Sequence, residues 1–175
     1  IERAWQTAEL LAATLVHPIS DERPLLESVL QATDSLMTYR ARYLLQLRPI
    51  AAIDLLITDD TNPRSIVFQF QTINHLIDQL PTDKTDWGLG PDQKIAEQLL
   101  HRVRMSEPSI LSSNDSGQRV ALGLLLELLI DELPRLSNAI TARYLLHTGT
   151  TQDLTGRLDL PLPANDDSSS NEPPP

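Results

Sequence analysis

A helical period runs through most of this chain, and that period narrows its folds more than any other feature. Ile66, Phe70, Ile73, Ile77 and Leu80 recur at alternating four- and three-residue steps, which traces one face of a helix. Asn62 is placed as its N-cap and Pro63 at its first position, and Pro81 stops it. Upstream, Trp5, Ala8, Ala12 and Leu15 give a first helix an apolar face, and His17-Pro18 ends it. Ser20 to Pro24 has the chemistry of a helix start, followed by Leu25, Leu26, Val29 and Leu30. A third helical stretch is predicted over 34–47, and Pro49 separates it from a short apolar helix over 50–57.

Downstream of a loop around Trp87, read as a surface anchor, a helix begins at Asp92 with Ile95, Leu99 and Val103 on its inner side. Asp115 or Ser116 then caps a long helix starting near Gln118. Residues 120–133 are apolar nearly all round, as expected of a helix surrounded by others, and Pro134 kinks it. Leu136, Ile140 and Tyr144 resume a single face. No strand pattern and no repeat of fixed period emerges, so the expectation is an all-α bundle of about seven helices with a long kinked central helix. It should occupy 1–149, leaving 150–175 as a disordered, acidic, Pro/Ser-rich tail.

Composition excludes several classes of function. A net charge of −10 and a pI near 4.7 disfavour a nucleic-acid surface, which needs a basic face. With no cysteine there is no disulfide, thiolate metal site or cysteine nucleophile. No run approaches the roughly 18 apolar residues of a membrane span, and no signal sequence precedes the first helix, so a cytoplasmic address is expected. The opening Ile1-Glu2-Arg3-Ala4 lacks Met and is already in helical rhythm, which reads as a piece of a longer chain. Twelve of the fourteen basic residues are arginine, a bias that genome composition explains as well as binding does.

Glycine-rich phosphate loops, nucleophile elbows and zinc helices are missing. His17, His75, His101 and His147 lie far apart, without ligand spacing, and are read as structural or surface residues; no metal is expected. Carboxylate pairs such as Asp59-Asp60 and Glu127 with Asp131 suit caps and solvated faces. Arg64, placed in a first helical turn where a cation is disfavoured, calls for an anion. Asp59 or Asp60 is the simple partner; a bound phosphate or carboxylate, held by the helix N-terminus, Arg64 and Ser65, is the sharper one. Tyr39 and Tyr43 lie one turn apart with Arg40 and Arg42 beside them. Either the rings are buried while the arginines lie on the surface, or the four line a pocket for an anionic group.

Residues 34–43, then Ile53-Asp54-Leu55-Leu56, then Asp59 to Ser65 in the form Asp-x-x-Asn-Pro-Arg-Ser, resemble the bacterial alpha-E family. The opening Glu2-Arg3-Ala4 is similar to that family's Glu-Arg helix. The resemblance implies an all-helical domain beside, or fused to, a circularly permuted ATP-grasp domain, often near transglutaminase-like proteins. That company implies ATP-dependent amide or peptide bond formation, with ATP and Mg belonging to the ATP-grasp partner and no cofactor in this segment. Tyr39, Arg40, Tyr43, Asn62, Arg64 and Ser65 are matched motif positions, and no catalytic residue carries over. The leading expectation is an accessory domain, not catalytic alone, that binds an anionic substrate group; the alternative is a protein–protein interaction scaffold. An autonomous amide-processing enzyme ranks last, since no nucleophile–base pair emerges from the spacing.

Overall fold

The computed structural model describes residues 1–43, 46–81 and 88–145; the expected loop around Trp87 and the expected tail lie largely or wholly outside them. Within those residues the fold is all-helical: α1 (Glu2–Leu15), α2 (Arg23–Ala32), α3 (Leu36–Tyr43), α4 (Pro49–Ile53), α5 (Ile66–Asp78), α6 (Pro91–Arg104), α7 (Pro108–Leu111) and α8 (Val120–Ile140). α4 runs on into a π turn, Asp54–Thr58, and α8 into another, Thr141–Leu145. The layout is the expected bundle with a long kinked central helix, and Pro134 lies inside α8 without ending it. α8 packs on α1 and α6, α6 packs on α5, and α5 returns to α1; α2, α3 and α4 form a cluster at one side, with α7 between α4 and α8.

Four helices open with proline in the first turn, where its missing N–H is no loss and its fixed φ suits a helix. The core is aliphatic: Leu11 and Leu15 of α1, Phe70 of α5, Leu99 and Val103 of α6, and the row Leu122, Leu126, Leu129, Leu133 and Leu136 of α8. That four-three spacing makes α8 one-sided. Val120 and Leu124 face outward, contrary to the expectation of a helix enclosed all round, because nothing in the described fold covers that face.

Two helix starts differ from expectation. α8 takes neither Asp115 nor Ser116 as a cap. Those residues form a tight turn closed between Asp115 and Gln118, with Ser116 at φ 53° and Gly117 at φ 88°. The N-cap of α8 is Arg119, without a side-chain cap bond but 3% exposed. Its guanidinium donates to Leu15 O at 2.7 Å and to Glu22 Oε2 at 2.8 Å, while its backbone N–H donates to Val16 O at 2.9 Å. One residue, through its side chain and its backbone, thereby serves two carbonyl groups left open at the C-terminal end of α1.

The second difference concerns α5, which starts at Ile66 rather than Pro63. Its N-cap is Ser65, whose Oγ accepts from Phe68 N at 3.1 Å. Asn62 is the hinge of the preceding turn instead: Nδ2 donates to Leu55 O at 2.8 Å, and Oδ1 accepts from Arg64 N at 3.2 Å. Either residue type can cap, and the Leu55 carbonyl, far away in local sequence terms, decides between them.

Candidate functional site

The segment from Asp59 to Ser65 is built as a knot of short-range hydrogen bonds. Asp59 Oδ1 accepts from Thr61 N at 2.9 Å and Thr61 Oγ1 at 2.6 Å, an Asx turn. Ser65 Oγ donates to Asp59 O at 2.6 Å while capping α5, so this fully buried hydroxyl is committed on both sides. Asn62 and Ser65 therefore shape the turn from inside, and Arg64 emerges from it just before the helix rather than in the first helical turn.

Each arginine singled out from sequence meets its own acid. Arg64 Nη2 lies 2.7 Å from Asp34 Oδ2, so its partner is neither Asp59 nor Asp60. Asp59 is taken by Arg42, which also donates to Thr61 Oγ1 at 2.8 Å. Arg40 pairs with Glu27 at 2.8 Å. Asp34, at the end of α2, holds a left-handed backbone at φ 52°, which a short polar side chain tolerates better than most. The three arginines do not converge, because they point to three acids on separate elements.

Arg64 shares a cleft with a different arginine. Arg3 and Gln6 of α1, Thr33 and Asp34 after α2, and Arg64 line one cleft of about 280 Å3. Arg3 is exposed, and its side chain makes no hydrogen bond or ion pair among the described residues. The Asp34–Arg64 pair is a surface pair, with Asp34 80% and Arg64 39% exposed. Such a pair is worth about 0–1 kcal/mol, so another anion can take over the Arg64 guanidinium at small cost. The arrangement can hold a small anion between two guanidiniums once Asp34 swings away.

The tyrosines share a second site. Tyr39 is fully buried: its hydroxyl donates to Gln46 O at 2.9 Å and accepts from Arg48 N at 2.9 Å. Its ring lies 5.1 Å from that of Tyr43, tilted by 37°. Tyr43 donates to Asp54 Oδ2 at 2.6 Å. Burial, with the Asp54 hydrogen bond next, pushes the Tyr43 phenol up to about 12. Both rings, with Arg48, Ile50, Asp54 and Pro108, line a cleft of about 880 Å3. Arg40 and Arg42 lie off that wall; the arginine present is Arg48, which the sequence reading did not single out.

One signal for a related arrangement was in the sequence. Ala41-Arg42-Tyr43-Leu44-Leu45 recurs letter for letter as Ala142-Arg143-Tyr144-Leu145-Leu146. In the second copy Arg143 and Tyr144 both reach the fully buried Asp92, at 2.6 and 3.2 Å. In the first copy Arg42 and Tyr43 take two different aspartates. Among the described residues, no three His, Asp or Glu side chains gather as a metal site, and no helix is long and apolar enough to cross a membrane.

Comparison with known proteins places this geometry in a family context. The model of the Alpha-E family, described as "a predicted alpha-helical domain with a conserved ER motif", matches residues 1–145. The chain has two Glu-Arg pairs, Glu2-Arg3 at the start of α1 and Glu22-Arg23 at the start of α2, and the first supplies Arg3 of the small cleft. The chain is 31% identical over 160 residues to the uncharacterized proteins Rv2567 and MT2643 of Mycobacterium tuberculosis and Mb2597 of Mycobacterium bovis. These alignments cover 89% of this chain and 18% of each relative, so the chain spans about one fifth of their length. No solved structure matches it.

Proposed function

The chain belongs to the Alpha-E family, and from that premise we propose that it is an anion-handling accessory domain of an ATP-dependent amide ligase. The carrying observation is that Arg3 of the Glu-Arg motif and Arg64 of the Asn-Pro-Arg-Ser turn, distant in sequence, line one cleft. Two guanidiniums there suit a carboxylate or phosphate of a substrate, with Asp34 standing in for that anion when the cleft is empty. The domain supplies no nucleophile of its own. ATP and magnesium belong to a circularly permuted ATP-grasp partner, fused or separate, and a transglutaminase-like protein fits as a processing partner.

The test is ATP turnover by the ATP-grasp partner with this domain, supplied with candidate amino acids and peptides. Wild type, Arg64→Ala and a deletion of the domain are compared. The reading expects Arg64→Ala to stay folded and raise the KM for the anionic acceptor tenfold or more. Turnover unchanged by Arg64→Ala but abolished by deletion contradicts it.

A second reading, an interaction scaffold, is favoured by the outward face of α8. Val120 and Leu124, one turn apart, are 45% and 63% exposed. That unchanged-by-Arg64→Ala outcome is the one this reading expects.

A further inference from the structure

The cleft lined by the tyrosines carries two unneutralised charges of opposite sign on an apolar wall. Asp54 comes from the first residue of the π turn, and its oxygens accept from Tyr43 Oη at 2.6 Å and Thr58 Oγ1 at 2.7 Å. Both donors are neutral hydroxyls, and a carboxylate has about four lone-pair sites, so charge and acceptor capacity remain. Arg48 comes from the connector before α4. Its Nη2 donates to the neutral side chain of Gln46 at 2.9 Å, and among the described residues it meets no carboxylate. Asp54 and Arg48 line the same cleft yet do not pair with each other. Apart from Gln46, the rest of the lining is aromatic and aliphatic, with Tyr39, Tyr43, Ile50, Ala51 and Pro108.

An anion and a cation that line one largely apolar cleft without pairing with each other outline a zwitterion. A plain anion would find Asp54 repulsive, and a plain cation would find Arg48 repulsive. A purely apolar ligand would leave both charges facing it unpaired. The π turn widens the backbone where Asp54 projects, a distortion frequent at functional sites. The cleft's volume of about 880 Å3 leaves room for more than one residue-sized group.

We propose that this cleft binds a zwitterionic apolar amino acid or dipeptide, with its ammonium on Asp54, its carboxylate on Arg48 and its side chain against Tyr43 and Ile50. The site is separate from the Arg3–Arg64 cleft and stands on its own residues whichever way that reading falls.

Calorimetric titration of the 175-residue chain tests it, with L-phenylalanine and L-phenylalanyl-L-phenylalanine as zwitterions and with the C-terminal amide and N-acetyl form of each. At least one zwitterion should bind saturably, and its amide and acetyl forms should bind tenfold or more weakly. Arg48 is exposed, with only a Gln46 side-chain partner, so Arg48→Gln should fold; it should bring the zwitterion down to the affinity of the amide. Asp54→Asn, which keeps one side-chain oxygen for Tyr43 while Thr58 retains the residue 54 carbonyl, should bring it down to that of the acetyl form. No saturable binding of either zwitterion at millimolar concentration overturns the proposal. So do blocked forms that bind as well as the zwitterion, or discrimination that survives Arg48→Gln.

Discussion

Arg64 donates to the carboxylate of Asp34 at 2.7 Å, across the gap between the turn that precedes α5 and the turn that ends α2. The acid is mostly exposed and its backbone sits at φ 52°, so the contact joins a solvent-facing carboxylate to a residue of a well-bonded turn. Asn62 and Ser65, both buried, hold the backbone on either side of Arg64. The backbone of Arg64 is therefore held by the turn, while its guanidinium rests on the Asp34 carboxylate.

This arrangement separates stability from binding. Arg64→Ala should lower stability by no more than about 1 kcal/mol, the range of exposed pairs. Asp34→Asn should be similarly mild, because asparagine tolerates a left-handed backbone, and should strengthen binding of inorganic phosphate severalfold by removing the competing acid. Urea denaturation and a phosphate titration of both variants check these outcomes.

Ser65→Ala should behave in the opposite way. It removes the cap of α5 and the donor to the Asp59 carbonyl together, and should cost about 2 kcal/mol. Ser65→Thr should recover much of that, since threonine also caps. Denaturant midpoints of the three proteins give the comparison.

How far the sequence carried this picture depends on where the deciding partner lies. The face formed by Phe70 and Ile77 of α5 was legible because both residues belong to one helix, and local spacing contains it. The start of α5 was not. Asn62 before Pro63 has the right local chemistry for a cap, but the Leu55 carbonyl draws the Asn62 amide into the turn and leaves the cap to Ser65. Arg64 was expected in a first helical turn, facing Asp59, Asp60 or a bound anion, but it precedes the helix and its partner lies thirty residues upstream, where no helical spacing points to it. Arg48 escaped notice because its importance lies in what does not pair with it. α8 was expected to be enclosed because its composition is apolar on several faces, but only one face is covered in this fold.

Arg119 should be among the most sensitive positions. Its nearly buried guanidinium bridges Leu15 O and Glu22, so Arg119→Met leaves a carbonyl and a carboxylate without their donor. The loss should be about 3 kcal/mol, and Arg119→Lys should recover only part of it because an ammonium cannot reproduce the planar fork. Thermal or urea unfolding resolves a difference of this size.

Tyr43 predicts a dependence on alkaline pH. Its phenol is held protonated up to about 12 in the folded chain, first by burial and then by the Asp54 hydrogen bond, against about 10 when unfolded. The folded state thus keeps the proton more tightly. Its contribution is fully present below about pH 10 and is lost as pH rises toward 12. Tyrosinate absorbance should show a component that ionises only near 12 or on unfolding, and Tyr43→Phe should remove that component with its share of the alkaline loss of stability.

The central claim, that Arg3 and Arg64 together hold an anion, is tested most directly by following the arginine Nε–Hε resonances of the labelled chain during titration with inorganic phosphate and with acetate. The account predicts that Arg3 and Arg64 shift together along one saturable isotherm, and that Arg3→Ala weakens the response of Arg64 tenfold. Unchanged resonances at both residues, or an Arg64 response indifferent to the loss of Arg3, would contradict it.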